Sequence, residues 1–198
     1  MQVVTTSPLI RTYTLEEFWA LPEPKDGSTL ELIAGVLYIS PPPNFTHDFS
    51  SVTLNRIFIL HLDKIGDRGS VFIPRAALWT SPATYVEPDL FYLSEETLKR
   101  VDPKKRDTAD LVIEIISPST AIYDRNTKAD TYAALGVREL WLVDPRHETI
   151  EVRHLNAGAN SYDSGRVFKR GEQVESKVLL AFSPSVTQIC DAVPRKTK

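Results

Sequence analysis

The chain has 198 residues, 42% of them apolar and 25% charged, with a formal net charge of −3. That size suits one domain with a sizeable buried core, and the balance is that of a soluble globular protein. It excludes a general electrostatic attraction to nucleic acid, so a polyanion would need a local basic surface or a bound divalent cation.

No run approaches the roughly 20 apolar residues that cross a bilayer, and the start MQVVTTSPLIRTY lacks a basic region followed by an apolar stretch. The expectation is a cytoplasmic protein with no membrane partner. Cys190 is the one cysteine, so neither an internal disulfide nor a cysteine metal cage can form. His47, His61, His147 and His154 are scattered without the spacing of a structural zinc site.

Residues 1–12 read as a loosely held arm, 13–190 as a single domain and 191–198 as a tail. Thr14 is a good N-cap, with Glu17 at the capping-box position, for a short helix stopped by Pro22. After the turn-rich PEPKDGS, LELIAGVLYIS predicts two strands joined at Ala34-Gly35, with Glu31 in the first. Pro41-Pro42-Pro43 is a rigid connector. From Asn44 to about Ile65 the apolar residues recur at three-and-four spacing, predicting a long helix laid on a sheet, with His47 in its first turn.

Strands are expected at Ser70–Ile73, Ala76–Trp79 and Tyr85–Leu93, the last containing Pro88-Asp89. Ser94 can cap a short helix, and KRVDPKKRD reads as an exposed charged loop. Leu111 to Ile116 is an apolar, β-branched run that predicts a strand buried on both faces, interrupted by Glu114. Ser-Pro-Ser-Thr then breaks the chain before a helix of about Asp124 to Leu135, ended by Gly136. Further strands are expected at Glu139–Val143, Thr149–Leu155, Ser161–Phe168 and Ser176–Leu180. This order predicts an α/β or α+β sandwich around a mixed sheet.

Glu114 is the anomaly, because an ionised carboxylate in a buried strand must be paired, hydrogen-bonded or bound to a cation. Asp110 shares its face but lies roughly 13 Å away along the strand, too far to share an ion. Asp89 can share one if its strand neighbours that of Glu114, at the inter-strand spacing of about 4.8 Å. A lysine at position 116 would stand beside such a site, but the chain has Ile116; Lys128 can substitute if the helix after the turn packs over the strand end. Plainer readings remain open. Asp89 could satisfy loop amides at the start of a strand, Glu114 could pair with Arg75, and Lys128 could be the solvated i+4 partner of Asp124. Glu31 could be a third carboxylate or a hairpin-edge charge, and His47 could touch phosphate or merely dock its helix. Tyr132 reads as packing behind Lys128, and Trp141 as core.

Glu31-Leu-Ile-Ala-Gly35, the proline connector with His47, Pro88-Asp89-Leu90, Leu111 to Thr120, Asp124, Lys128, Tyr132, Gly136-Val137 and Trp141 to Pro145 form one ordered set. From about Thr14 to Ile189 it resembles the Uma-type putative restriction endonucleases of the PD-(D/E)xK nuclease superfamily. The resemblance implies a restriction-endonuclease-like core and a Mg²⁺- or Mn²⁺-dependent endonuclease acting on DNA. It implies Asp89 and Glu114 as metal ligands, helped by the Ile115 carbonyl, and Lys128 as the migrated catalytic lysine. Glu31 and His47 stand as accessory residues. Double-strand cleavage with one site per chain implies a homodimer. The alternative is a nuclease fold that has lost turnover and binds nucleic acid or a partner.

Overall fold

A computed structural model of the chain describes residues 11–102, 105–118 and 120–191. Most of the expected arm and tail, Ser119, and Pro103-Lys104 of the charged loop lie outside the described residues.

In chain order the elements are α1 (Leu15–Trp19), β1 (Thr29–Ile33), β2 (Val36–Ser40), α2 (Phe45–Ile65), β3 (Ser70–Phe72), β4 (Leu78–Thr80), β5 (Thr84–Val86) and β6 (Leu90–Leu93). There follow α3 (Glu95–Arg100), β7 (Leu111–Ile115), α4 (Ala121–Tyr123), a π-helical turn (Asp124–Lys128), α5 (Ala129–Ala134), β8 (Glu139–Asp144), β9 (Thr149–His154), β10 (Arg166–Lys169) and α6 (Val186–Cys190). The Thr14–Glu17 capping box forms as the sequence dictates. Ala34 and Gly35 both take positive φ, at 48° and 82°, which is the two-residue turn that matches strand twist. Asn44 caps α2 and Gly66, at φ 66°, ends it.

Two sheets result. The smaller is antiparallel, in the order β2-β1-β5-β4. The larger runs β10-β9-β8-β7-β6-β3, and only β7 and β8 are parallel, joined by the crossover through α4, the π turn and α5. β7 and β8 are buried along their whole lengths, as their near-continuous apolar runs require. Their alternate side chains build two cores. Ile113, Ile115 and Trp141 pack with Leu54, Phe58 and Leu62 of α2. Val112, Ile116, Leu140 and Leu142 pack with Ala129 and Tyr132 of α5. Glu114 therefore faces the crossover helix.

Several expectations are corrected. The strand expected over Tyr85–Leu93 is two strands in different sheets, because Pro88 has no N–H for a ladder. Before it, the Glu87 N–H leaves the sheet and donates to Glu31 Oε1 at 2.8 Å. The strand expected over Ser161–Phe168 begins only at Arg166, after Gly165 at φ 71°. Ser176–Leu180 is not a strand: the Ser176 hydroxyl accepts the amides of Val178 and Leu179 and turns the chain locally. The helix α6, capped by Ser185, was not expected; its signal is the Ser-x-x-Gln box from Ser185 to Gln188.

Asp110 proves structural. Its carboxylate accepts the Ser94 amide at 2.6 Å and the Thr97 hydroxyl at 2.9 Å, and pairs with Arg138. Burial alone would raise its pKa, but these bonds, led by the Ser94 amide, outweigh it and hold the group below the usual carboxylate range. A carboxylate depressed in the folded state adds stability above its unfolded pKa and loses it as pH falls through the folded one. Asp110→Asn is therefore expected to cost about 1–3 kcal/mol at pH 7. Urea titrations should show the gap from wild type narrowing as the solution is acidified below the unfolded pKa.

Candidate active site

Five elements converge on one cavity of about 380 Å³, lined by Glu31, His47, Asp89, Glu114, Asp124 and Lys128 among others. Asp89 ends the proline crossing. Since Leu90 pairs with Ile113 in the antiparallel register, Asp89 lies one step further on, at the level of Glu114. Its Oδ2 accepts the Ile115 N–H at 2.7 Å, and its Oδ1 lies 3.0 Å from His47 Nε2. The first turn of α2 thus delivers His47 into the cleft, while the same residue's N–H is capped by Asn44. Burial would lower the His47 pKa, but the bond to Asp89 and its charge outweigh that and raise it.

Lys128 stands at the centre. Its Nζ lies 2.7 Å from Glu114 Oε1 and 3.2 Å from Glu31 Oε1, and the three residues are 4%, 3% and 2% exposed. The Tyr132 hydroxyl donates to Glu114, and the Tyr123 hydroxyl to Glu31 Oε2 at 3.1 Å. Burial opposes the lysine's charge, but Glu114 and Glu31 reverse the effect and carry its pKa up. Burial drives the Glu114 pKa well above its ordinary value; Lys128 opposes this and Asp89, Asp124 and Glu31 add to it. Burial also raises Asp124, to about 6, against the pull of Lys128.

The plainer readings are thereby decided for several residues. Lys128 is not on a solvated face. Arg75 is not the partner of Glu114: it lies 3.9 Å from Glu87 with 64% of its side chain exposed. Glu31 is a buried member of the cluster rather than a hairpin-edge charge. Sequence reading missed Tyr132 and Asp124 as site residues. Their signal was the four-residue spacing of Asp124, Lys128 and Tyr132, but spacing alone does not distinguish an inward face from a solvated one.

Among the described residues, no group of three or more His, Cys, Asp or Glu side chains forms a ready cage for a metal. The donor set nevertheless fits a hard divalent cation that keeps several waters, as Mg²⁺ does with one or two carboxylates. The cleft gathers Glu31, Glu87, Asp89, Glu114 and Asp124 against Lys128, His47 and the exposed Arg75. Burial pushes up the pKa of Glu87 as well as those of Glu114 and Asp124, and neighbouring carboxylates add to the rise in each case, a smaller contribution that added positive charge would relieve.

Fold and site together define an α+β protein whose acid-lined cleft lies at the meeting of two sheets. A crystal structure from Anabaena variabilis ATCC 29413, of a putative nuclease belonging to DUF820, matches with a TM-score of 0.74. The match covers 91% of this chain and 98% of that one at 18% identity, which establishes the fold alone. The chain belongs to the Uma2 family, described as putative restriction endonuclease, whose model matches residues 15–187. Comparison with curated proteins finds no match. Among the described residues no helix is long and apolar enough to cross a membrane.

Asp124 has a pKa near 6 in the fold against an ordinary 3.8, so the folded state holds an extra proton between those values. Stability should fall as pH rises from about 4 to about 6, by roughly 2–3 kcal/mol from this group. Asp124→Asn is expected to lack that part of the decline in urea titrations from pH 4 to 8; parallel curves for the two proteins would contradict it.

Proposed function

We propose that the protein is a Mg²⁺-dependent endonuclease hydrolysing phosphodiester bonds in DNA, with Mn²⁺ able to replace Mg²⁺. The observation that carries this reading is the placement of Asp89 and Glu114 at one level of adjacent strands, in one cavity with a buried, charged Lys128.

Asp89, Glu114 and the Ile115 carbonyl would hold the cation. When bound, it supplies neutralisation of the phosphate's charge and acidifies water at the site. The chain's own part is positioning and electrostatics. Lys128, whose ammonium replaces the lysine absent at Ile116, orients the attacking water or offsets charge developing on the phosphate. Tyr132 and Ile115 N–H aim the two carboxylates by hydrogen bonds, and His47 steadies Asp89. Glu31 holds the lysine from the opposite side. Cutting both strands with one site per chain calls for a symmetric dimer, a state that analytical ultracentrifugation reads directly.

One observation favours a second reading, a nuclease fold without turnover that binds nucleic acid or a partner. Glu114 is already paired with Lys128 and Asp89 with His47, so both carboxylates are satisfied without a cation. Purified protein should be incubated with plasmid DNA and Mg²⁺ or Mn²⁺ beside Asp89→Asn and Glu114→Gln. The endonuclease reading expects cleavage that chelation abolishes and that either substitution lowers roughly a hundredfold or more. No cleavage, together with no calorimetric Mn²⁺ binding that depends on Asp89 and Glu114, would sink it in favour of the binding module.

A further inference from the structure

Lys128 is delivered by an irregularity in the helix, and that irregularity is held from outside. In an uninterrupted α-helix, residues four apart drift by about 40°, so positions 124, 128 and 132 would fan over roughly 80°. The π turn at Asp124–Lys128 widens the first step and takes back its rotation. Asp124, Lys128 and Tyr132 are all buried, at 5%, 4% and 0% exposure. A π turn is rare, so a long-range contact that favours it over the α-helix is informative.

What favours it lies on the neighbouring strand. Arg153 of β9 donates from Nη1 to the Arg125 carbonyl, inside the π turn, at 2.8 Å. Its Nε donates to Glu151 Oε1 at 2.6 Å, and the other oxygen of Glu151 accepts from the Arg125 guanidinium. Arg125 also lies 3.6 Å from Asp144 at the end of β8. One strand therefore grips both the backbone and the side chain of residue 125. Glu151 and Arg153 are largely covered, with side chains 13% and 19% exposed, and neither lines the cavity. From within, the Asn126 and Thr131 side chains donate to the carbonyls of Ile122 and Thr127, both at 2.7 Å.

We propose that Glu151 and Arg153 are positioning residues for Lys128, holding the π turn in the register that delivers its ammonium to Glu31 and Glu114. Without the grip, residues 124–128 relax toward α-helical bonding and the ammonium swings away from the carboxylates. For its effect on turnover the proposal rests on the endonuclease reading; its effect on the lysine does not.

The test uses the whole protein with Arg153→Met, Arg153→Lys and the nearly isosteric Glu151→Gln, which carries the experiment if Arg153→Met does not fold. Lys128 accessibility is read by reductive methylation and peptide mass spectrometry, and the backbone by hydrogen exchange. We expect methylation of Lys128 and exchange over residues 120–129 to rise in Arg153→Met and Glu151→Gln while β7 and β8 keep their protection. Arg153→Lys, which keeps a donor for the Arg125 carbonyl, should restore much of the loss. On DNA, kcat should fall by roughly a hundredfold, the scale for an ångström-sized misplacement, with KM unchanged. Folded variants with Lys128 as unreactive as in wild type would overturn the proposal, as would exchange rising throughout the sheet. Increased Lys128 labelling in a protein whose wild type cuts no DNA would uphold the positioning role and defeat the nuclease reading alone.

Discussion

A buried ammonium between two carboxylates from different sheets is the interaction on which the rest of this structure depends. Glu31 belongs to β1 of the small sheet and Glu114 to β7 of the large one, and Lys128 lies between them. Removing charge from water is costly, and the mutual attraction of the groups repays it only where the remaining lone pairs and protons find partners. Glu31 accepts the Glu87 amide and the Tyr123 hydroxyl, and Glu114 accepts the Tyr132 hydroxyl. These groups come from the proline crossing and the crossover helix, so the cluster specifies how both meet the two sheets.

Such a cluster is a poor means of gaining stability compared with well-packed apolar side chains of the same volume. Its surroundings make the point sharper, since Asp89, Asp124 and Glu87 bring further negative charge to the same cavity. Sites where stability is given up in this way are those where sequence and fold are expected to serve chemistry. On the proposed function, the acid excess and the buried lysine are complementary halves of one arrangement: carboxylates that would hold a cation, and a fixed positive group beside them.

The geometry depends on two departures from regular secondary structure. Pro88 ends one strand and begins another in a different sheet, and the residue after it, Asp89, arrives level with Glu114. The π turn keeps three residues of one helix on its inner face. In both places the backbone forgoes ordinary ladder or helix bonding, and side chains make up the difference: Glu31 takes the Glu87 amide, and Arg153 serves the Arg125 carbonyl. Local irregularity is tolerated because the neighbouring structure over-determines it.

Local order was legible in the sequence wherever it rests on local chemistry. The capping box at Thr14, the turn at Ala34-Gly35, the long α2 from Asn44 to Gly66 and the buried strand around Glu114 all follow from propensity, caps and apolar spacing. So did the oddness of Glu114, because an acid in an apolar strand demands a partner wherever the strand ends up. Which partner it takes was decided by tertiary structure. The pairing of β6 with β7 sets Asp89 beside it, and the rotation of the crossover helix sets whether Lys128 and Tyr132 face the cleft or the solvent. That rotation turns on a π turn gripped by Glu151 and Arg153, residues more than twenty positions downstream. A helix reports its own periodicity in its sequence, but the contacts that change its winding come from elsewhere in the chain and leave no local mark.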